Sequence, residues 1–284
     1  MEDKIKRLLK YAATWQTDMG GWLPGEDVIL RGKSLMSELD RHPWMGVLLY
    51  AITGKIATEK QIRLYEGIWV ISTSFPEPRI WSNRIASLAC NVRSTPALGI
   101  SAGLAINEAT VYGHRPIIAV ANFLENSYQK MQSGQSLYDI LKKIVKTKTQ
   151  GKPAKGMYRE PSKIPGFGRP VTRKDERLEP MMRLAKDLDI DNGPMVKLVF
   201  DIEKTLNEMR LKLDKNISVL ATALVLDQGM TPREFYYFMI VGFSIGIVAC
   251  ANDSENHPEG SFFPMPCETI DYRGPNKMKW QTTK

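Results

Sequence analysis

Residues 163–177 read KIPGFGRPVTRKDER. Gly166 and Gly168 flank Phe167, and Lys163, Arg169, Arg173, Lys174 and Arg177 place positive charge around them. The segment ends a longer stretch, 147–173, that holds four prolines and four glycines. That density interrupts both helical and strand periodicity, so the stretch is a loop. A loop this long inside a compact chain is usually functional or disordered. From Lys142 to Lys174 the only acidic residue is Glu160, against eleven lysines and arginines. Two readings follow: a solvated basic loop, or a cradle for a phosphorylated ligand.

Outward from this loop, both flanks read as helices. Ile5, Leu8, Leu9, Ala12 and Ala13 recur at helical spacing within 3–15. Residues 25–31 are short and β-branched, a small strand or a turn. Leu35–Leu39 and Trp44–Thr53 read as helical, the second ending at Gly54. Thr58 is an N-cap for the next helix. Asn83–Cys90 and Pro96–Ala109 are apolar and rich in small residues. Pro116 suits the first turn of a helix reaching Lys130, and Ser136 can cap Leu137–Val145. Beyond the loop, helices are expected at 175–188, 194–213 and Ile217–Asp227, the last closed by Gly229. Thr231–Pro232–Arg233–Glu234 carries an N-cap, proline at N1 and glutamate at N3. The uncharged run 235–252, FYYFMIVGFSIGIVACAN, is marginal for a membrane span of ~20 residues; with Gly242, Ser244 and Gly246 it reads as a central helix buried on all sides. No period of 20–50 residues repeats. The expectation is an all-α chain of roughly ten to fifteen helices.

Composition narrows the class. The 284 residues carry 39 Lys+Arg against 31 Asp+Glu, a formal net charge of +8, with 43% hydrophobic residues. That balance excludes dominant disorder. Cys90, Cys250 and Cys267 are too few for a disulfide framework or an all-cysteine zinc site, and no Cys/His/carboxylate spacing supports a metal. The N-terminal MEDKIKRLLKYAATW lacks an apolar core for a secretory signal, so a cytoplasmic location is expected.

Five segments together resemble the citrate synthase superfamily, and within it the short branch similar to citryl-CoA lyase. They are Val28–Leu35 (VILRGKSL), 42–59 (HPWMGVLLYAITGKIATE), Lys163–Arg177, Asn216–Gly229 (NISVLATALVLDQG) and 263–275 (FPMPCETIDYRGP). They occur in the family's order, and K-I-P-G-F-G is the most specific. The resemblance implies an all-helical homodimer with a large domain, 1–125 and 234–284, a small domain, 126–233, and a cleft between them. It also implies a coenzyme A ester as substrate, with no tightly bound cofactor. On that reading Lys163, Ile164, Pro165, Gly166, Phe167 and Gly168 hold the coenzyme, the glycines allowing close backbone approach. Arg177, matching the arginine of the family's D-P-R, is the implied carboxylate clamp.

The implied chemistry departs from the family pattern at several positions. The family's base is an aspartate, where this sequence has Ser218; a hydroxyl needs activation to act as a base. The histidine after G-F-G is Arg169, able to bind a carboxylate or stabilise an oxyanion but not to exchange protons near neutrality. For the family's other histidine, His114 and Tyr112 are alternatives. Later arginine positions are taken by Phe243 or Ile245 and by Pro264. Arg169, His114, Tyr112 and Ser218 are thus the candidate catalytic residues, with Glu108 a possible recruited acid or base. Each has a structural alternative: a loop-ordering ion pair for Arg169, a helix-start hydrogen bond for His114, a helix N-terminal residue for Ser218, a core residue for Tyr112 and a local pair for Arg177. The functional expectation is an acyl-CoA C–C lyase or acyltransferase with a carboxylate-containing second substrate. The alternative is a catalytically degenerate CoA-ester-binding or partner subunit. A nucleic-acid role is disfavoured because the basic loop lacks interleaved aromatics, and no membrane partner is expected.

Overall fold

The computed structural model describes residues 2–12, 15–73, 76–109, 113–147, 164–169, 172–262 and 266–276. Among these the chain is helical apart from one small sheet. In chain order the elements are α1 (Glu2–Ala12), β1 (Gly20–Leu23), β2 (Asp27–Leu30), β3 (Lys33–Ser34), α2 (Trp44–Thr53), α3 (Glu59–Ser72), α4 (Trp81–Asn91) and α5 (Pro96–Ile106). There follow α6 (Arg115–Gln132), α7 (Leu137–Thr147), α8 (Leu178–Asp187), α9 (Pro194–Glu208), α10 (Ile217–Asp227), α11 (Pro232–Ile240) and α12 (Ser244–Glu255). The strands form an antiparallel sheet in the order β1-β2-β3, with Trp22 opposite Val28 and Leu30 opposite Lys33.

The expected caps explain where several helices begin and end. Gly54 closes α2 with φ +72°, its N–H donating to the Tyr50 carbonyl. Thr58 with Gln61, and Thr231 with Glu234, form complete capping boxes at the starts of α3 and α11. Arg31, just after β2, donates from Nε to the Ala51 carbonyl at 2.9 Å, and the Tyr50 hydroxyl donates to the Arg31 carbonyl at 2.7 Å. The first two family-like segments are therefore joined directly.

Two compact units are present. The first comprises residues 1–73 and 107–243. Its core gathers Leu49, Leu64, Ile68, Leu124, Leu141, Ile202, Leu206 and Phe238 around α10. In α10 every residue from Val219 to Val225 is buried, and the helix packs on α6, α8, α9 and α11. A helix buried on all sides has no polar face, and α10 follows that rule. Asp227 at its end accepts the Met195 and Val196 N–H groups of α9 at 2.9 and 3.0 Å. The second unit, 74–106 with 244–284, contains α4, α5 and α12 packed on one another. Small residues let these helices approach: a Cβ on Gly103 would lie 2.8 Å from Ile247 Cγ2. Asn91 ties the following loop down, donating to the Pro258 carbonyl and Ser261 hydroxyl and accepting from Phe262 N–H.

Several expectations need correction. Leu35–Leu39 is a series of turns, because the Ser34 hydroxyl accepts the Met36 and Ser37 N–H groups and Glu38 accepts that of Ser34. Residues 175–177 precede α8, since the Asp175 side chain takes the Arg177 N–H. The helix expected over 194–213 stops at Glu208; Arg210 turns left-handed at φ +58° and Leu211 N–H returns to the Leu206 carbonyl. The apolar run 235–252 is interrupted by a turn at 241–243 and is not buried on all sides, with Tyr237 at 49% and Ile245 at 50% exposure. The span Pro232–Glu255 is nonetheless long and apolar enough to cross a membrane by length and composition. Phe235, Phe238 and Met239 are buried in the first unit, and Gly246, Ile247, Cys250 and Ala251 in the second, as in core helices.

Candidate functional site

The loop residues Ile164–Arg169 are built onto the start of α10. Gly168 N–H donates to the Asp214 carbonyl at 2.7 Å, Asn216 N–H to the Gly166 carbonyl at 3.0 Å, and Phe167 faces Lys215 in an antiparallel bridge. Ile164 and Phe167 are fully buried and anchor the loop. Both glycines are left-handed, at φ +81° and +88°. A Cβ on Gly166 would lie 2.4 Å from Val219 Cβ, so only glycine fits against this turn of α10. Asn216 joins both sides. It caps α10 by accepting from Ser218 and Val219 N–H, and donates from Nδ2 to the Gly168 carbonyl at 3.1 Å.

Asp175 sits at the same helix start. Its carboxylate accepts from Ile217 N–H at 2.9 Å and from Arg177 Nε and Nη2 at 2.9 and 3.0 Å. Burial alone raises its pKa; the Arg177 pair and the Ile217 N–H outweigh that and hold the carboxyl below its ordinary value. Arg177 Nη1 makes no hydrogen bond among the described residues, and its side chain is 26% exposed. Arg169 donates from Nη1 to the Lys174 carbonyl at 2.9 Å and to Glu176 at 2.7 Å. Both candidate arginines thus order the loop through the chain's own carboxylates. Ser218 is half-buried in the first turn of α10, its N–H held by Asn216 and its carbonyl by the Thr222 hydroxyl. No base lies within hydrogen-bond distance of its hydroxyl among the described residues.

A second cluster surrounds the start of α6. His114 is 1% exposed, its ring stacked on Phe243 at 4.8 Å between centroids. Neither ring nitrogen has a hydrogen-bond partner among the described residues, and the same is true of Asn107 Nδ2. Burial lowers the His114 pKa; Glu108 and the nearby Ile240 carbonyl only partly oppose this, the latter without reaching hydrogen-bond geometry. Glu108 accepts a short hydrogen bond from the Tyr236 hydroxyl and one of 3.4 Å from Arg115 Nε. Its carboxyl lies below the ordinary value, with the Tyr236 bond the largest cause. Tyr236 was missed by sequence reasoning: it lies more than a hundred residues from Glu108, and one tyrosine in an aromatic-rich helix carries no chemical signal. Tyr112, Lys163 and Pro264 lie outside the described residues, as does most of the basic loop. No hydrogen bond or ion pair joins the two clusters among the described residues.

The fold is shared with solved structures. Citryl-CoA lyase from Hydrogenobacter thermophilus is similar over 94% of this chain and 97% of its own, with TM-score 0.78 and 21% identity. This chain has the fold of that lyase. ATP citrate lyase from Methanothrix soehngenii, solved with citrate and coenzyme A, matches 98% of this chain and 45% of its own, with TM-score 0.69 and 18% identity. Citrate synthase from Thermoplasma acidophilum, solved with carboxymethyl coenzyme A and oxaloacetate, matches 84% and 59%, with TM-score 0.60 and 16% identity. The chain therefore spans less than two thirds of these last two. No protein-family model and no curated protein sequence matches this chain.

Proposed function

We propose that this protein makes or breaks a carbon–carbon bond α to the thioester of an acyl-CoA, with a carboxylate-bearing second substrate. The observation that carries the reading is the near end-to-end correspondence with a citryl-CoA lyase, to which the glycine loop adds local support. Backbone N–H groups and cations near such a loop suit the phosphates of coenzyme A. Arg177, fixed by Asp175 through Nε and Nη2, retains Nη1 for a ligand carboxylate.

We also propose a homodimer. Leu88, Val92, Leu98, Ile245 and Val248 are exposed apolar side chains on or beside α4, α5 and α12, more than a helical trio in water ordinarily presents. The division into a large domain, 1–125 with 234–284, and a small domain, 126–233, belongs to the same reading. So does a cytoplasmic location, to which the free thiols Cys90, Cys250 and Cys267 are suited.

The test is titration calorimetry with acetyl-CoA and free coenzyme A, followed by release of the coenzyme thiol from acyl-CoA with a panel of 2-oxo acids, and by cleavage of citryl-CoA. Binding with turnover supports the reading. Binding without turnover on any pair favours the degenerate partner-subunit role, and absence of thioester binding refutes both.

A further inference from the structure

The cationic side chains that hold the junction at the start of α10 are matched one for one by the chain's own carboxylates. Arg177 pairs with Asp175 at 2.9 Å, Arg173 with Asp214 at 2.9 Å through Nη2, Lys215 with Glu203 at 2.6 Å, and Arg169 with Glu176 at 2.7 Å. The last pair differs from the others. Asp175 and Glu203 also accept backbone N–H groups, of Ile217 and Lys215, and so help to build the junction. The Glu176 carboxylate accepts from Arg169 and from no other residue among the described ones, and its side chain is 55% exposed.

Asp175 Oδ1 lies 2.9 Å from Arg177 Nε and 3.8 Å from Arg169 Nη1, so one buried carboxylate faces both guanidiniums. Both guanidinium side chains also reach solvent, Arg169 being 18% exposed. The Arg177 Nη1 donor and the Arg169–Glu176 pair are therefore neighbours at the surface. Two guanidiniums around one carboxylate leave a positive charge uncompensated. Glu176 cancels it: the Arg169 bond holds its carboxyl below the ordinary value, so it is ionised at neutral pH.

We propose that Glu176 is a specificity-determining residue, which by neutralising Arg169 restricts the second substrate to an acid with one carboxylate, bound by Arg177 Nη1. The inference rests on the acyl-CoA reading above. The bond-forming partner of an acyl-CoA α-carbon is a carbonyl, so the class is a 2-oxo monocarboxylic acid. A second carboxylate on the ligand would approach Arg169 beside Glu176, like charge against like charge, at a guanidinium whose charge is already matched. Such a repulsive element selects between ligands without adding a contact to the favoured one.

The experiment is titration calorimetry with S-ethyl coenzyme A, a thioether that cannot form an enolate. Pyruvate and 2-oxobutyrate, with one carboxylate, and oxaloacetate and 2-oxoglutarate, with two, are then titrated in its presence. The quantity read is the ratio of dicarboxylate to monocarboxylate dissociation constants. In the parent the monocarboxylates are expected to bind about tenfold or more tighter. Glu176→Gln removes the charge but keeps an acceptor for Arg169, and is expected to lower the ratio by about tenfold or more. Adding Arg169→Gln to that variant is expected to raise the ratio again, because the charge that Glu176 balances is gone. A Glu176 that only orders the loop would weaken both classes alike, so an unmoved ratio in Glu176→Gln overturns the assignment. So does a parent that binds the thioether yet prefers the dicarboxylates or takes none of the four acids; the CoA reading then stands without it. A parent that does not bind the thioether removes the CoA reading and the assignment with it.

Discussion

Asp175→Asn tests the junction on which the candidate site is built. The carboxylate accepts four hydrogen bonds: from Ile217 N–H at 2.9 Å, from Arg177 Nε and Nη2 at 2.9 and 3.0 Å, and from Arg177 N–H at 3.2 Å. Breaking a fully buried ion pair from one side costs about 3–5 kcal/mol. Here the Arg177 side chain is 26% exposed and recovers some hydration, and asparagine keeps an oxygen for Ile217 N–H, so about 2–3 kcal/mol is expected. At roughly 2 °C or a little more per kcal/mol for a chain of this size, Tm falls by about 4–7 °C. The assay is urea and thermal unfolding followed by far-ultraviolet circular dichroism at fixed protein concentration, because association changes apparent stability. The urea midpoint should drop with the slope unchanged. The pH dependence supplies a second arm. The folded Asp175 pKa lies below its unfolded value, so its contribution is complete above about pH 4 and is lost as pH falls through the folded value. The gap between parent and variant should therefore narrow on acidification. An unchanged midpoint at neutral pH, or a gap that widens in acid, would refute the account of this junction.

Gly166→Ala should destabilise by about 2–4 kcal/mol, because φ is +81° and the new Cβ meets Val219 at 2.4 Å. Gly134→Ala, at φ +90° with nothing within 4 Å, should lose only about 1 kcal/mol in the same urea titration. Thr231→Ala removes one side of a capping box and should lower stability by about 1 kcal/mol; no midpoint shift would count against that cap. His114 should still be neutral in nitrogen-edited NMR at about pH 6.5, the ordinary imidazole value. Its folded pKa lies below the unfolded value near 6.5, so protonation favours the unfolded chain and stability should fall as pH drops through that value. An imidazolium signal from His114 at pH 6.5 would contradict its burial without partners.

The helical class, most of the helices and several caps were legible in the sequence because their causes are local. Thr58, Thr231 and Gly54 act within one turn, and a glycine or an N-cap works the same way in any fold. The family resemblance was legible for a related reason. Ile164–Gly168 needs two left-handed residues around a buried aromatic, a requirement written in five consecutive letters. What tertiary structure alone decided is the pairing of side chains distant in the chain. Arg177 reads as a ligand clamp from the sequence, and only the structure shows that Asp175 takes two of its donors at the start of α10 and leaves Nη1. Arg169 reads as a catalyst from the sequence, and only the structure shows that the Lys174 carbonyl and Glu176 also hold it. Tyr236 had no reading until α11 brought its hydroxyl to Glu108. The uncharged run 235–252 read as one buried helix, because composition records how apolar a segment is, while the turn that breaks it depends on what packs against each half. A side chain's chemistry is set by its neighbours' charge and by exclusion of water, and in a helical fold those neighbours come from helices far apart in sequence.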